Sequence, residues 1–148
     1  MTEAQLQKSV CNYLKLQYPD VIFTSESSGI KLTMGQAVQA KALRSDSGLP
    51  DLMIFEPMGV YKGLFLELKV KSVWLKDGTL TKDKHVREQS EILKRLRAKG
   101  YLATFACGFD EAKLITDWYL VGLRTVDDFK AMDNMWEKLN YLDSIYLD

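Results

Sequence analysis

The sequence predicts an α/β domain, a central mixed sheet of about four strands with helices on both faces. Three observations lead there. Two stretches, 2–17 and 88–99, carry apolar residues at helical spacing. Three short apolar runs, 51–55, 63–71 and 101–107, are set off by Gly, Pro or Asp. Helices and strands alternate along the chain, as they do where helices pack on a sheet. At 148 residues the chain has the length of one domain with a core of its own.

The first helix runs from Thr2 to about Gln17. Thr2 with Gln5 fits a capping box, and Leu6, Val10, Tyr13 and Leu14 follow at helical spacing. At about 100° per residue, Glu3 falls inside that apolar stripe, which turns it to the core or a cleft. A first-turn glutamate satisfying the helix dipole is the plainer reading, and the residues alone leave the two even. Pro19 and Asp20 end this helix, Val21–Ser25 reads as a strand, and residues 25–29 as a polar loop. Met34–Leu43 reads as a second helix, mostly small and apolar. Lys31, Lys41 and Arg44 around it are either phosphate contacts or plain solvated charges.

Residues 48–71, GLPDLMIFEPMGVYKGLFLELKVK, organise the rest. Asp51–Phe55 is one strand, 56–59 supply a turn through Pro57 and Gly59, and Gly63–Lys71 is the second strand. Side chains alternate along a strand, so Leu64, Leu66, Leu68 and Val70 point one way and Phe65, Glu67, Lys69 and Lys71 the other. Glu67 and Lys69 thus share a face, about 7 Å apart along the strand. Asp51, opening the neighbouring strand, can sit beside them. Two carboxylates and an ammonium at the ends of adjacent strands suit a divalent metal and an activated water. The competing reading makes Glu67 and Lys69 an exposed pair on an edge strand and Pro50-Asp51 a mere turn.

Residues 72–88 show few packing signals beyond the Asp77-Gly78 turn. With Lys76, Lys82, Lys84, His85 and Arg87, this cationic stretch reads as a loop or flap. Trp74 either stacks on a base or caps the core. Glu88–Lys99 is a helix with Ile92, Leu93 and Leu96 inward and Gly100 as its stop. Gln89 lies on the inward stripe, where its amide needs partners. Lys94, Arg95, Arg97 and Lys99 make an exposed basic face. Tyr101–Cys107 is a strand, and 108–112 opens a helix running towards Tyr119. In the tail, Val126, Phe129, Met132, Trp136, Leu139 and Leu142 recur at three and four, an amphipathic helix that either folds back or pairs with another subunit.

Composition narrows the chemistry. Two isolated cysteines and a single histidine argue against a zinc site, a disulfide framework or a histidine-based triad. The apolar runs fall short of membrane length and no basic-then-apolar leader opens the chain, so a cytoplasmic protein without a membrane role is expected. Net charge is zero but segregated: residues 31–99 carry +6 and residues 100–148 carry −5. A one-sided phosphate-binding face is compatible with that, as is ordinary solvated surface.

The pattern of Pro50-Asp51, then Glu67-Leu68-Lys69, resembles the PD-(D/E)XK nuclease core. More narrowly, GLPDLMIF, GLFLELKV and REQSEILKRLRAKGYLATFACGFDEA together look like the VRR-NUC branch of that superfamily, over roughly residues 1–120. The resemblance implies a nuclease domain at 1–120 with an αβββαβ core, and a C-terminal helical extension at 121–148 that packs on it or makes a dimer contact. It also implies one or two Mg²⁺ or Mn²⁺ ions held by Asp51, Glu67, the Leu68 main-chain carbonyl and Glu3. In that pattern Lys69 orients or deprotonates the attacking water, and Gln89 supports the site. Contacts to DNA would come from Lys31, Lys41, Arg44, Lys71, Lys82, Lys84 and Arg87. The implied activity is metal-dependent endonucleolytic hydrolysis of DNA phosphodiesters, selective for branched duplex such as a Holliday junction. A homodimer would present two sites to opposite strands, and the implied setting is a bacterial or phage-infected cell. The alternatives are a restriction-like or nicking nuclease and a non-catalytic nucleic-acid-binding module.

Overall fold

In the structure, a computed structural model that describes residues 1–26, 31–46, 48–122 and 125–145, nine elements follow one another. They are α1 (Glu3–Gln17), β1 (Phe23–Ser25), α2 (Met34–Ala42), β2 (Leu52–Ile54), β3 (Leu64–Lys69), α3 (Lys84–Ala98), β4 (Leu102–Cys107), α4 (Phe109–Val121) and α5 (Val126–Ser144). The sheet order is β1-β2-β3-β4. The first two pairings are antiparallel and β3 with β4 is parallel. With α2 set aside as an insertion between β1 and β2, the order is the expected αβββαβ.

The capping box of Thr2 and Gln5 forms, and Leu6, Val10 and Leu14 are buried as the periodicity requires. β2 and β3 are joined by a hairpin whose tight corner is Met58–Tyr61, bonded in both directions. The predicted turn over 56–59 is thus displaced by two residues, because Gly59 and Val60 take the corner. At Gly63 the strand enters so close to β2 that an added Cβ would meet the Ile54 carbonyl oxygen at 2.8 Å. Only glycine allows that approach.

Every residue of β3 is buried. It lies between β2 and β4, with α1 and α4 packed on it and α3 on β4. The edge-strand reading of Glu67 and Lys69 is therefore wrong. The strand also ends at Lys69, leaving Val70 and Lys71 exposed rather than aligned with the core.

The stretch 72–88 is more ordered than its polarity predicts. Val73–Thr81 folds as a small hairpin around the Asp77-Gly78 turn, with Val73 and Leu80 buried. Asp83 then caps α3, which starts at Lys84, so His85 and Arg87 lie on a helix rather than in a loop. Trp74 packs edge-on against Tyr141 of α5, with Lys138 over its ring, so it belongs to the α5 contact rather than to a base-stacking surface. The basic face of α3 is partly consumed as well. Arg97 pairs with Asp143 at 2.7 Å and donates to the Ala103 carbonyl, Lys94 donates to Ile145, and Arg95 reaches Asp46 at 3.5 Å.

Helix α5 folds back on α3 and α4, burying Met132, Met135, Leu139 and Leu142 in the common core and setting Trp136 edge-on to Trp118. Val126 and Phe129, expected on its apolar face, are exposed instead because they precede the contact. Helix α2 buries none of its residues, and Met34, Val38 and Leu43 face solvent. The predicted polar loop at 25–29 extends beyond the described residues after Glu26. No described helix is long and apolar enough to cross a membrane.

Candidate active site

The register of the sheet builds the site. Leu52 pairs with Leu66, so the next position along the antiparallel ladder sets Asp51 opposite Glu67. The Asp51 carboxylate accepts the Leu68 N–H at 2.9 Å through Oδ2. Its own carbonyl is held from behind by the Ser25 hydroxyl at 2.8 Å and the Glu26 N–H at 2.7 Å. Gln7, one turn after Glu3 on α1, ties this corner together by donating to Ser25 Oγ and the Glu26 carbonyl. The end of β1 thus clamps the residue that opens β2.

Glu67 is 4% exposed and Lys69 9%. Burial, and then the facing Asp51 carboxylate in hydrogen-bonding contact with it, push the Glu67 carboxyl up to about 9. Lys69 opposes that rise and Glu3 adds to it. Two carboxylates share a space in which only one ionises readily. Gln89, from α3, donates its Nε2 to Glu67 Oε1 at 2.8 Å, while its buried Oε1 has no partner among the described residues. This is the arm's length support that a carboxylate under such pressure needs to keep its orientation.

Glu3 is exposed, yet it lines a cavity of about 540 Å³ together with Lys69, Lys71, Ser72, Thr81, Asp83 and His85. Glu3 thus borders the cleft while staying exposed to water, and it also stands in the first turn of α1, where a carboxylate suits the helix dipole. Asp51, Glu67, Leu68, Lys69, Gln89 and Glu3 all come together at this end of β3. The expected phosphate contacts divide. Lys71 is exposed beside the cavity, and Lys31, Lys41 and Lys82 are exposed elsewhere. Lys84 stands 4.0 Å from Glu88 on a solvated face. Arg44 is engaged with Glu26 at 2.9 Å, and Arg87 donates Nε to the Thr81 carbonyl.

Among the described residues no three His, Cys, Asp or Glu side chains close into a ready-made metal cluster. The pair of Asp51 and Glu67 nevertheless fits a hard divalent cation. It is a carboxylate donor set whose mutual repulsion is relieved by one proton, and a cation in that place relieves it further. Waters and main-chain oxygen would complete such a sphere.

Sequence reasoning missed Gln7 and Ser25, and it named His85 only as one cation of the 72–88 flap. Gln7 was detectable, since it sits one helical turn from Glu3 on α1. Ser25 gave no signal, because its place depends on which strand end packs against the start of β2.

No protein-family model matches the chain, and no curated protein matches it. A solved structure described as a "VRR_NUC domain protein" superposes with a TM-score of 0.59 at 24% identity, covering 82% of this chain and 90% of that one. Strand order, helix placement and this superposition agree with the resemblance read over roughly residues 1–120: the chain shares the fold of that VRR_NUC domain protein, a mixed α/β core.

Proposed function

We propose that this protein is a metal-dependent DNA endonuclease that hydrolyses phosphodiester bonds and selects branched duplex such as a four-way junction. The observation that carries the reading is the Asp51–Glu67 pair, opposed across the ladder at the end of an inner strand, with Lys69 beside it lining a cleft. Strained titratable groups converging at a cleft are what acid–base and metal chemistry require.

Asp51 and Glu67, with the Leu68 carbonyl and Glu3, would hold one or two Mg²⁺ or Mn²⁺ ions. Such an ion, when bound, supplies Lewis acidity towards the scissile phosphate and charge for its transition state. The residues do the rest. Lys69 holds the attacking water by its Nζ and donates to a non-bridging phosphate oxygen as negative charge grows there. Gln89 keeps Glu67 aimed. Asp51 stays in register because Ser25, Glu26 and the Leu68 N–H hold it. Water oxygen bonds to phosphorus, the bond to the leaving sugar oxygen breaks, and that oxygen takes up a proton. A homodimer, with one site for each of two strands, suits a branched substrate.

The test is cleavage of labelled duplex, single-stranded, flap and four-way-junction DNA in Mg²⁺, Mn²⁺ or EDTA, with Asp51→Asn alongside. Metal-dependent cutting of a branched substrate that disappears in Asp51→Asn is expected. Equal cutting of plain duplex would favour a restriction-like or nicking enzyme. Binding without cutting under every metal would make the protein a non-catalytic module.

A further inference from the structure

His85, the chain's single histidine, stands between two cavities. On one side is the cavity of about 540 Å³ that holds Lys69, Lys71 and Glu3. On the other is one of about 300 Å³ lined by Asp46, Gly48, Glu88, Gln89, Glu91 and Ile92. The two differ in what they can bind. The first offers two ammonium groups and lies at the start of α3, where the dipole of a 15-residue helix presents its positive end. Its two carboxylates stand at the rim: Asp83 accepts the Val86 N–H, and Glu3 is exposed. The second is lined by three carboxylates and by Gln89, whose buried Oε1 lacks a donor among the described residues. It repels phosphate and suits a group rich in N–H or O–H donors.

We propose that the groove over the first turn of α3 is a nucleotide subsite of the substrate strand, with His85 as its phosphate contact. The phosphate next to the scissile one lies on the Lys71 side. Its nucleoside, unpaired, lies on the Gln89 side, where base amino or sugar hydroxyl groups meet the acceptors. The imidazole donates an N–H to that phosphate in either neutral or charged form. Stacking is interrupted at a branch point, so a nucleotide beside the cut unpairs at lower cost there than in a plain duplex, which connects the subsite to substrate choice. This inference rests on the nuclease reading given above.

The experiment uses a branched DNA substrate with a single neutral methylphosphonate placed in turn at each position around the cut, cleaved by wild type, His85→Ala and His85→Gln. In wild type, one adjacent position raises KM about tenfold, the scale of one hydrogen bond to a charged group. His85→Ala raises KM about tenfold on unmodified DNA, and the methylphosphonate at that position then adds nothing more. His85→Gln, which keeps an N–H donor, recovers most of the loss. Penalties that multiply, or a KM unchanged in His85→Ala while wild type cuts, would overturn the subsite and leave the nuclease standing. If wild type neither cuts nor binds DNA under any metal, both readings fall together.

Discussion

Two clusters of polar groups in this molecule, one half-buried and one buried, are each built around a carboxylate and end in opposite states. At the C-terminal part of α1, the hydroxyls of Tyr13 and Tyr18 both donate to Asp117 Oδ1, at 2.5 and 2.6 Å, and Lys113 donates to Oδ2 at 2.9 Å. Burial works against the Asp117 carboxylate, but these donors outweigh it, and its pKa is lowered. The tyrosines rise in turn, through burial and the anion they hold. At the end of β3, by contrast, Glu67 confronts another carboxylate and is driven up to about 9. One carboxylate is surrounded by donors, the other by a like charge. A cavity of about 660 Å³, bigger than the one of about 540 Å³ beside Lys69, borders the satisfied cluster, so size points to the wrong end of the molecule. The lesson is that a buried polar group in conflict with its neighbours marks chemistry, while one with every bond made marks architecture.

The difference can be broken most sharply at Lys69. Lys69→Ala should lower cleavage by at least about 10²–10³-fold, the scale of losing one preorganised transition-state donor, while junction binding in EDTA is nearly unchanged. Full activity in this variant would remove the assigned role.

Next in size is the conflict itself. The folded state keeps a proton on Glu67 that the unfolded chain, with an ordinary glutamate value of 4.5, has released. Metal-free stability should therefore fall as pH rises from about 5 to about 8, by up to about 1.4 kcal/mol per pH unit. Glu67→Gln should flatten that slope in denaturant melts at several pH values. Mg²⁺ at a hundred times its Kd should stabilise wild type by about 2.7 kcal/mol and release protons, seen by calorimetry in buffers of differing ionisation enthalpy. Neither effect should survive in Glu67→Gln.

The satisfied cluster should behave in the reverse manner. Asp117→Asn should cost about 1–3 kcal/mol of stability by leaving donors without their anion, with cleavage per folded molecule unchanged. Smallest is Tyr13→Phe, which removes one of the two hydroxyl donors and should cost about 1 kcal/mol in the same melts. A loss of turnover in either variant would blur the distinction between the two regions.

Much of this was legible beforehand where the signal was local. The Thr2–Gln5 capping box and the stop at Gly100 each depend on a few neighbouring residues and form as read, and the strand read over 63–71 forms over 64–69. Helical periodicity alone did not decide Glu3, which borders the cleft while staying exposed in the first turn of α1. The stretch 72–88 was misread, since its order comes from Val73 and Leu80 sinking into a core assembled elsewhere, and polar composition hides two such residues. The basic face of α3 was misread for a related reason: Arg97 finds Asp143 only once α5 folds back.

By itself the sequence determined the periodicities, the caps, the α/β order and the pairing of Glu67 with Lys69 on one face, because these follow from backbone geometry over a few residues. Only the tertiary structure decided that β3 is an inner strand, that Asp51 lies opposite Glu67, and that His85 stands between two cavities. Those depend on strand order, register and burial, and the raised carboxyl of Glu67 exists only where distant segments exclude water around it.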